Sequence, residues 1–169
     1  MTSLADEMLT DAINWVYSAN DEVTNWEKVR EDAKKDASGV SGDDEEERRL
    51  RRHKADSGFR MADVGRTASR EIQRTALQEL GSLQREVFVK DIEVSEPNNY
   101  GNATATAVLR KGRTIPAGYR FYWKAGGAEI TRKDNQWLAV TINVSKLPTG
   151  DTVVEAILGK DTAPPVRDM

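Results

Sequence analysis

Hydrophobic positions near the start of the chain recur with the seven-residue spacing of a helix that packs against another helix. Ser3 followed by Asp6 has the form of a helix cap with an acid in the first turn. Two repeating sets then predict one helix from about residue 3 to residue 36. The sets are Leu9, Val16 and Val23, and Ala5, Ala12, Ala19, Trp26 and Ala33.

The next stretch predicts more helix with two interruptions. Two glycines and two serines lie between charged neighbours in "DASGVSGDD", and they predict a break near residues 37–43. The segment "DSGF" predicts a second break or kink at residues 56–59. A third helical stretch then extends to about residue 86. Its apolar stripe is Met61, Val64, Ala68, Ile72, Ala76, Leu80, Leu83 and Val87.

From about residue 87 the hydrophobic period falls to two, which is the period of a strand with one buried face. Six segments of this kind are separated by turn sequences such as "PNNYGN", "AGG" and "LPTGD". The pattern predicts an α+β fold. Helices, coiled-coil-like or folded as a hairpin, occupy residues 1–86, a small antiparallel β-sandwich occupies residues 87–160, and a proline-containing tail occupies residues 161–169.

Aromatic residues are concentrated in the segment "YRFYWKAGGAEITRKDNQWLAV", which covers residues 119–140. Because alternate side chains of a strand share a face, Phe121 and Trp123 point together and Tyr122 points the other way. A small β domain needs large side chains to form a core, so Phe121 and Trp123 are predicted to be buried. Tyr122 and Trp137 remain as possible surface aromatics that could stack on a sugar ring.

The segments "ATATAVL", "YRFYWKAGG" and "WLAVTINVSKLPTGDTVVEAIL" together resemble an immunoglobulin-like sandwich. The resemblance implies that Trp123 is the buried tryptophan of a C-like strand. It also implies that Leu147, Gly150, Asp151 and Thr152 form the turn that enters an F-like strand. The paired cysteines, the corner tyrosine and a clear seventh strand are missing from this sequence, so fibronectin-like and other small sandwiches fit equally well.

Composition excludes several kinds of chemistry. The chain has no cysteine and only one histidine, His53, so disulfides and cysteine- or histidine-cluster metal sites are excluded. The sequence also shows no nucleophile paired with a general base and no cofactor-binding loop. We therefore expect a protein that is not an enzyme and binds no cofactor. An acidic start and the lack of a long apolar run predict no signal peptide and no membrane span.

Charge is distributed unevenly along the chain. Residues 1–47 carry 14 acids and 4 bases, whereas residues 48–89 carry 5 acids and 10 bases. Two arms of opposite charge attract each other within or between chains, which favours self-assembly. Arg66, Arg70 and Arg74 form an i,i+4 ladder that could meet an anionic partner such as nucleic acid. The net charge of −3 and the acidic first helix disfavour that role.

A helical stalk followed by a β domain, without cysteine, signal or active site, resembles the accessory proteins of tailed-phage virions, such as head fibres, neck or tail components and decoration proteins. We therefore expect a structural protein made in the host cytoplasm, which associates with itself, as a trimer, and with other virion proteins. Its self-association is assigned to Leu9, Val16, Val23 and Trp26. The alternatives are a cytosolic adaptor that binds a protein or glycan, and a nucleic-acid-associated protein.

Overall fold

Two long helices precede an antiparallel β region in a computed structural model of the chain, which describes residues 3–38, 44–128, 130–132, 134, 136–148 and 150–166. Helix α1 spans Leu4–Ser38, and helix α2 spans Glu45–Leu83 and ends in a π-helical turn over Gln84–Phe88. Six strands follow within the described residues: β1 Val89–Val94, β2 Asn102–Leu109, β3 Tyr119–Lys124, β4 Ile130–Arg132, β5 Ala139–Asn143 and β6 Glu155–Lys160. The predicted α+β class and six strands are confirmed.

Both helices begin at side chains that cap their free backbone N–H groups. Ser3 Oγ accepts a hydrogen bond from the Asp6 N–H at 3.1 Å, as the sequence predicts, and Asp44 Oδ1 accepts one from the Glu46 N–H at 3.0 Å. Acids fill the first turn of each helix, where they stabilise the positive end of the helix dipole. The predicted break near residues 37–43 falls mostly outside the described residues, and α1 ends at Ser38.

The predicted interruption at residues 56–59 is wrong, because α2 continues through this segment. The physical reason is close packing against α1. A Cβ atom added to Gly58 would lie 2.8 Å from the Cβ of Ala33, and one added to Gly65 would lie 2.1 Å from the indole of Trp26. Glycine stands inside the helix because no larger residue fits at these two contacts.

The apolar stripe predicted for the third helical stretch is also corrected. Met61, Val64 and Ile72 are exposed, and only Ala76 and Leu80 of that stripe are buried. Small residues face α1 instead, and they let the two helices approach closely: Ala55, Gly58, Ala62, Gly65, Ser69 and Ala76. Antiparallel contacts between the helices follow, since Gln73 hydrogen-bonds Asn20 and Lys54 pairs with Asp36 at 3.4 Å.

Gly65→Ala tests this close packing, and we expect it to lower the free energy of unfolding. Alanine favours a helix by up to about 1 kcal/mol over glycine, but overpacking costs about 1–3 kcal/mol. Gly81→Ala is the matched control, because its Cβ would meet only the flexible end of Arg85 at 3.3 Å. It should stabilise the chain by about 0.5–1 kcal/mol in urea unfolding followed by circular dichroism. Equal stability of the two variants would contradict the packing account.

The strands form two antiparallel sheets among the described residues. The larger sheet has the order β1-β2-β5-β4, and β3 pairs with β6 in the second. In the second sheet Tyr119 lies opposite Lys160 and Lys124 lies opposite Glu155, without a register shift. The larger sheet has one irregularity, between Val89 and Asp91 of β1. Strands β1 and β6 therefore each lie at the edge of a sheet.

The chain forms two compact units, which are described separately. One contains Met1–Asn14 and Gln78–Met169, and the other contains Trp15–Leu77. The predicted division after residue 86 marks the change from helix to strand, but the compact units divide elsewhere. The reason is that the ends of both helices contribute core residues to the unit that holds the strands. Its fully buried large side chains are Leu9, Ile13, Leu80, Phe88, Phe121, Val140, Ile142 and Leu158.

Candidate interaction surfaces

The residues to which self-association is assigned are covered within one chain. Leu9 and Val16 are fully buried, and Val23 is nearly so. Trp26 is half-buried, and its indole packs where Gly65 has no side chain. The heptad stripe of α1 is therefore buried within the chain itself. Between residues 15 and 77, α2 is the helix that packs against it. A surface that binds a second copy has to use other residues of the helices.

An exposed apolar surface lies on one flank of the helical unit formed by Trp15–Leu77. Met61 is 56% exposed and Val64 is 72% exposed, although both are large and apolar. With Trp26 they line a shallow depression of about 370 Å³. Met61 also borders a second depression, of about 500 Å³, together with Val29 and Leu50. The two depressions join through Met61 into one apolar flank, to which both helices contribute.

The arginine ladder lies on the other flank of α2. At about 100° per residue, Arg66 and Arg70 are turned about 120–180° away from Met61 and Val64, and Arg74 is turned about 80–140° away. Arg74 pairs with Glu71 on its own helix at 3.0 Å, and the Nε of Arg66 is buried without a hydrogen-bond partner among the described residues. The ladder is thus partly neutralised and partly covered.

The aromatic cluster is a core feature, as predicted for Phe121 and Trp123. Phe121 is fully buried, Trp123 is 9% exposed, and their ring centroids lie 6.3 Å apart. The indole Nε1 of Trp123 donates a hydrogen bond of 2.6 Å to the Trp137 carbonyl. Trp137 itself has a positive φ of 56°, so its backbone turns at the point where this bond forms.

The structure corrects the expected surface position of Tyr122, which is only 8% exposed. The Arg120 guanidinium lies 3.9 Å from the centre of the Tyr122 ring and 4.0 Å from that of Trp137. Both rings therefore hold Arg120 by a cation–π contact, which occupies one face of each ring. Burial raises the pKa of the Tyr122 phenol, which stays protonated and donates to the Lys160 carbonyl at 2.6 Å.

A groove that was not predicted lies at the end of α2. It has a volume of about 770 Å³ and is bordered by the π-turn residues Gln84 and Arg85 and by strands β1 and β6. Gln84 is buried, and its amide joins the helix end to β6 by two hydrogen bonds. No pattern in the sequence marks this groove, because it joins segments about seventy positions apart.

His53 is exposed on α2, and no three His, Asp or Glu side chains among the described residues lie close enough to hold a metal ion. Helices α1 and α2, both within the described part of the chain, are too polar to span a bilayer. No family model, curated protein or solved structure matches the chain. Its function is therefore argued from its own geometry.

Proposed function

We propose that this chain is a non-enzymatic assembly protein that associates with itself through the apolar flank of its helices. The observation that carries the proposal is the exposure of Met61 and Val64 beside the half-buried Trp26. Contiguous exposed apolar side chains are uncommon on a monomer and mark interaction sites. Burying them against a second copy removes that apolar area from water, which stabilises the assembly.

Charge supports a second copy as the occupant of this flank. The rim of the depressions carries Asp32 on α1 and Arg60 on α2, beside the Asp36–Lys54 ion pair that each chain forms within itself. Head-to-tail contacts around a closed ring would bring the acidic α1 side of one copy to the basic α2 side of the next. A ring of this kind includes the trimer that the sequence analysis favours, and its contacts weaken as salt screens the charges.

The strand order supports an immunoglobulin-like sandwich for the β region. In constant-type domains the two sheets have the orders A-B-E-D and C-F-G. Labelled in chain order, with β5 as E and β6 as F, the strands follow A-B-E-D and C-F, and the described residues show no seventh strand. We therefore propose a helical association unit joined to a sandwich that is displayed or docked, as in an accessory virion component of a tailed phage.

The test of self-association is the mass of the full chain in solution, measured by light scattering after size exclusion. We expect an oligomer for the natural sequence and a monomer for Met61→Asp with Val64→Asp, because a buried unpaired charge costs several kcal/mol. Thr75→Asp, an exposed position about three turns beyond Val64 on the same helix and outside both depressions, is the control and should leave the mass unchanged. A monomeric natural chain, or a double variant that remains oligomeric, would refute the proposal.

A further inference from the structure

The groove at the end of α2 lies between two strand edges. Strand β1 ends the order of the larger sheet, and among the described residues β6 has β3 as its one strand neighbour. Both strands line the groove, β1 with Val89–Ile92 and β6 with Glu155–Ile157. Unpaired strand edges offer backbone N–H and C=O groups at the spacing that an added strand recognises.

Gln84 already imitates part of an added strand on β6. Its Nε2 donates to the Ala156 carbonyl at 2.7 Å, and its Oε1 accepts from the Leu158 N–H at 3.0 Å. A residue of a parallel strand makes this same pair of bonds, to residues i and i+2 of its neighbour. The Ala156 N–H points to the same side as its carbonyl and has no hydrogen-bond partner in the described residues. One strand position beside Gln84 is therefore open.

The charges that border the groove are mostly positive. Arg85, Lys90, Arg110 and Lys124 line it, against the acids Asp91 and Glu155. Two of the cations lie near the negative end of α2, since the Arg110 guanidinium donates to the Arg85 carbonyl at 2.6 Å. Lys90 is exposed on β1, and Lys124 is exposed at the end of β3, opposite Glu155 of β6. The half-buried Val154 and Ile157 and the buried Val89 add apolar residues to the same lining.

We propose that this groove binds an extended, acidic segment of a partner protein, which adds to the β6 edge at Ala156. The segment's backbone carbonyl accepts from the Ala156 N–H, and its carboxylates meet Lys90 and Lys124 across the groove. Its apolar side chains, alternating with the acids, pack on Val89 and Ile157. The proposal does not depend on self-association, because every residue in it belongs to the unit that holds the strands.

The binding experiment uses the full chain and a fluorescein-labelled eight-residue peptide of alternating glutamate and valine or threonine, measured by anisotropy. We expect saturable binding, at least tenfold weaker for a peptide with glutamine in place of glutamate and absent for one with lysine. N-acetylglutamate at the same carboxylate concentration should not compete. Equal binding of all three peptides, no binding of the acidic one, or full competition by N-acetylglutamate would each overturn the proposal.

Two protein variants localise the binding. Ala156→Pro removes the outward N–H but leaves the β3 ladder intact, and Lys90→Glu with Lys124→Glu reverses the charge. Each should weaken peptide binding at least tenfold. Lys111→Glu, an exposed position outside the groove, should not. If Ala156→Pro fails to fold, the charge-reversal variant decides, and unchanged binding in it would refute the site.

Discussion

Trp123→Ala should lower the free energy of unfolding by about 3–5 kcal/mol, the usual cost of removing a buried tryptophan. The side chain is 9% exposed and its ring packs beside Phe121. The substitution also leaves the Trp137 carbonyl without its indole donor, and an unpaired polar group that stays buried adds to the cost. For a domain of this size such a loss is a large part of the total stability.

Trp15→Ala is the matched control, because the same side chain is removed at a position that is 41% exposed. It should cost much less in the same urea unfolding experiment, read by circular dichroism of the strands. Trp123→Phe separates the two contributions, since it keeps most of the ring and removes only the Nε1 donor. If Trp123→Ala unfolds at the same urea concentration as Trp15→Ala, Trp123 is not part of the core.

The strands were predictable because each has one buried face, and a period of two follows directly from that. In β2 the buried positions are Ala103, Ala105 and Ala107, and they alternate with half-buried threonines and other residues. The buried stripe of α1 was predictable for the same reason, since Leu9, Val16 and Val23 are large and regularly spaced. The pattern does not indicate which element covers this stripe.

Large apolar residues are the usual signal of a buried helix face, and in α2 this signal predicts the wrong face. In this helix the interior positions hold alanine, glycine and serine, whereas Met61, Val64 and Ile72 are exposed. A signal was nevertheless present. Small residues recur at three- and four-residue steps from Ala55 to Ala76, which is the pattern of helices that approach closely.

The two candidate sites, the apolar flank and the groove, also differ in how far the sequence predicts them. Trp26, Met61 and Val64 of the apolar flank belong to stripes that the sequence pattern indicates, but the pattern does not indicate that Met61 and Val64 are exposed. The groove could not be predicted, because Gln84 is one of several glutamines in or near helices and its partners are backbone groups of β6. Nearly every residue carries the same backbone N–H and C=O groups. The residue types at positions 156 and 158 therefore do not indicate a hydrogen bond to Gln84.

Gln84→Met is the second substitution with a large expected effect, about 2–4 kcal/mol of unfolding free energy. Methionine has nearly the volume of glutamine, so packing changes little. The partly buried Ala156 carbonyl and the buried Leu158 N–H, however, both lose their partner at the helix end. Each unsatisfied group costs about 1–3 kcal/mol, and the two add because the same amide serves both.

Gln78→Met controls for the change of residue type, since Gln78 is exposed on the same helix a turn and a half earlier. It should alter stability by no more than about 0.5 kcal/mol. Amide hydrogen exchange gives the local readout. In Gln84→Met the Leu158 N–H should exchange much faster than in the natural chain, whereas the N–H groups of β2 change only with global stability. Protection of Leu158 equal to that in the natural chain would show that Gln84 does not complete the edge of β6, and the open strand position beside it would lose its support.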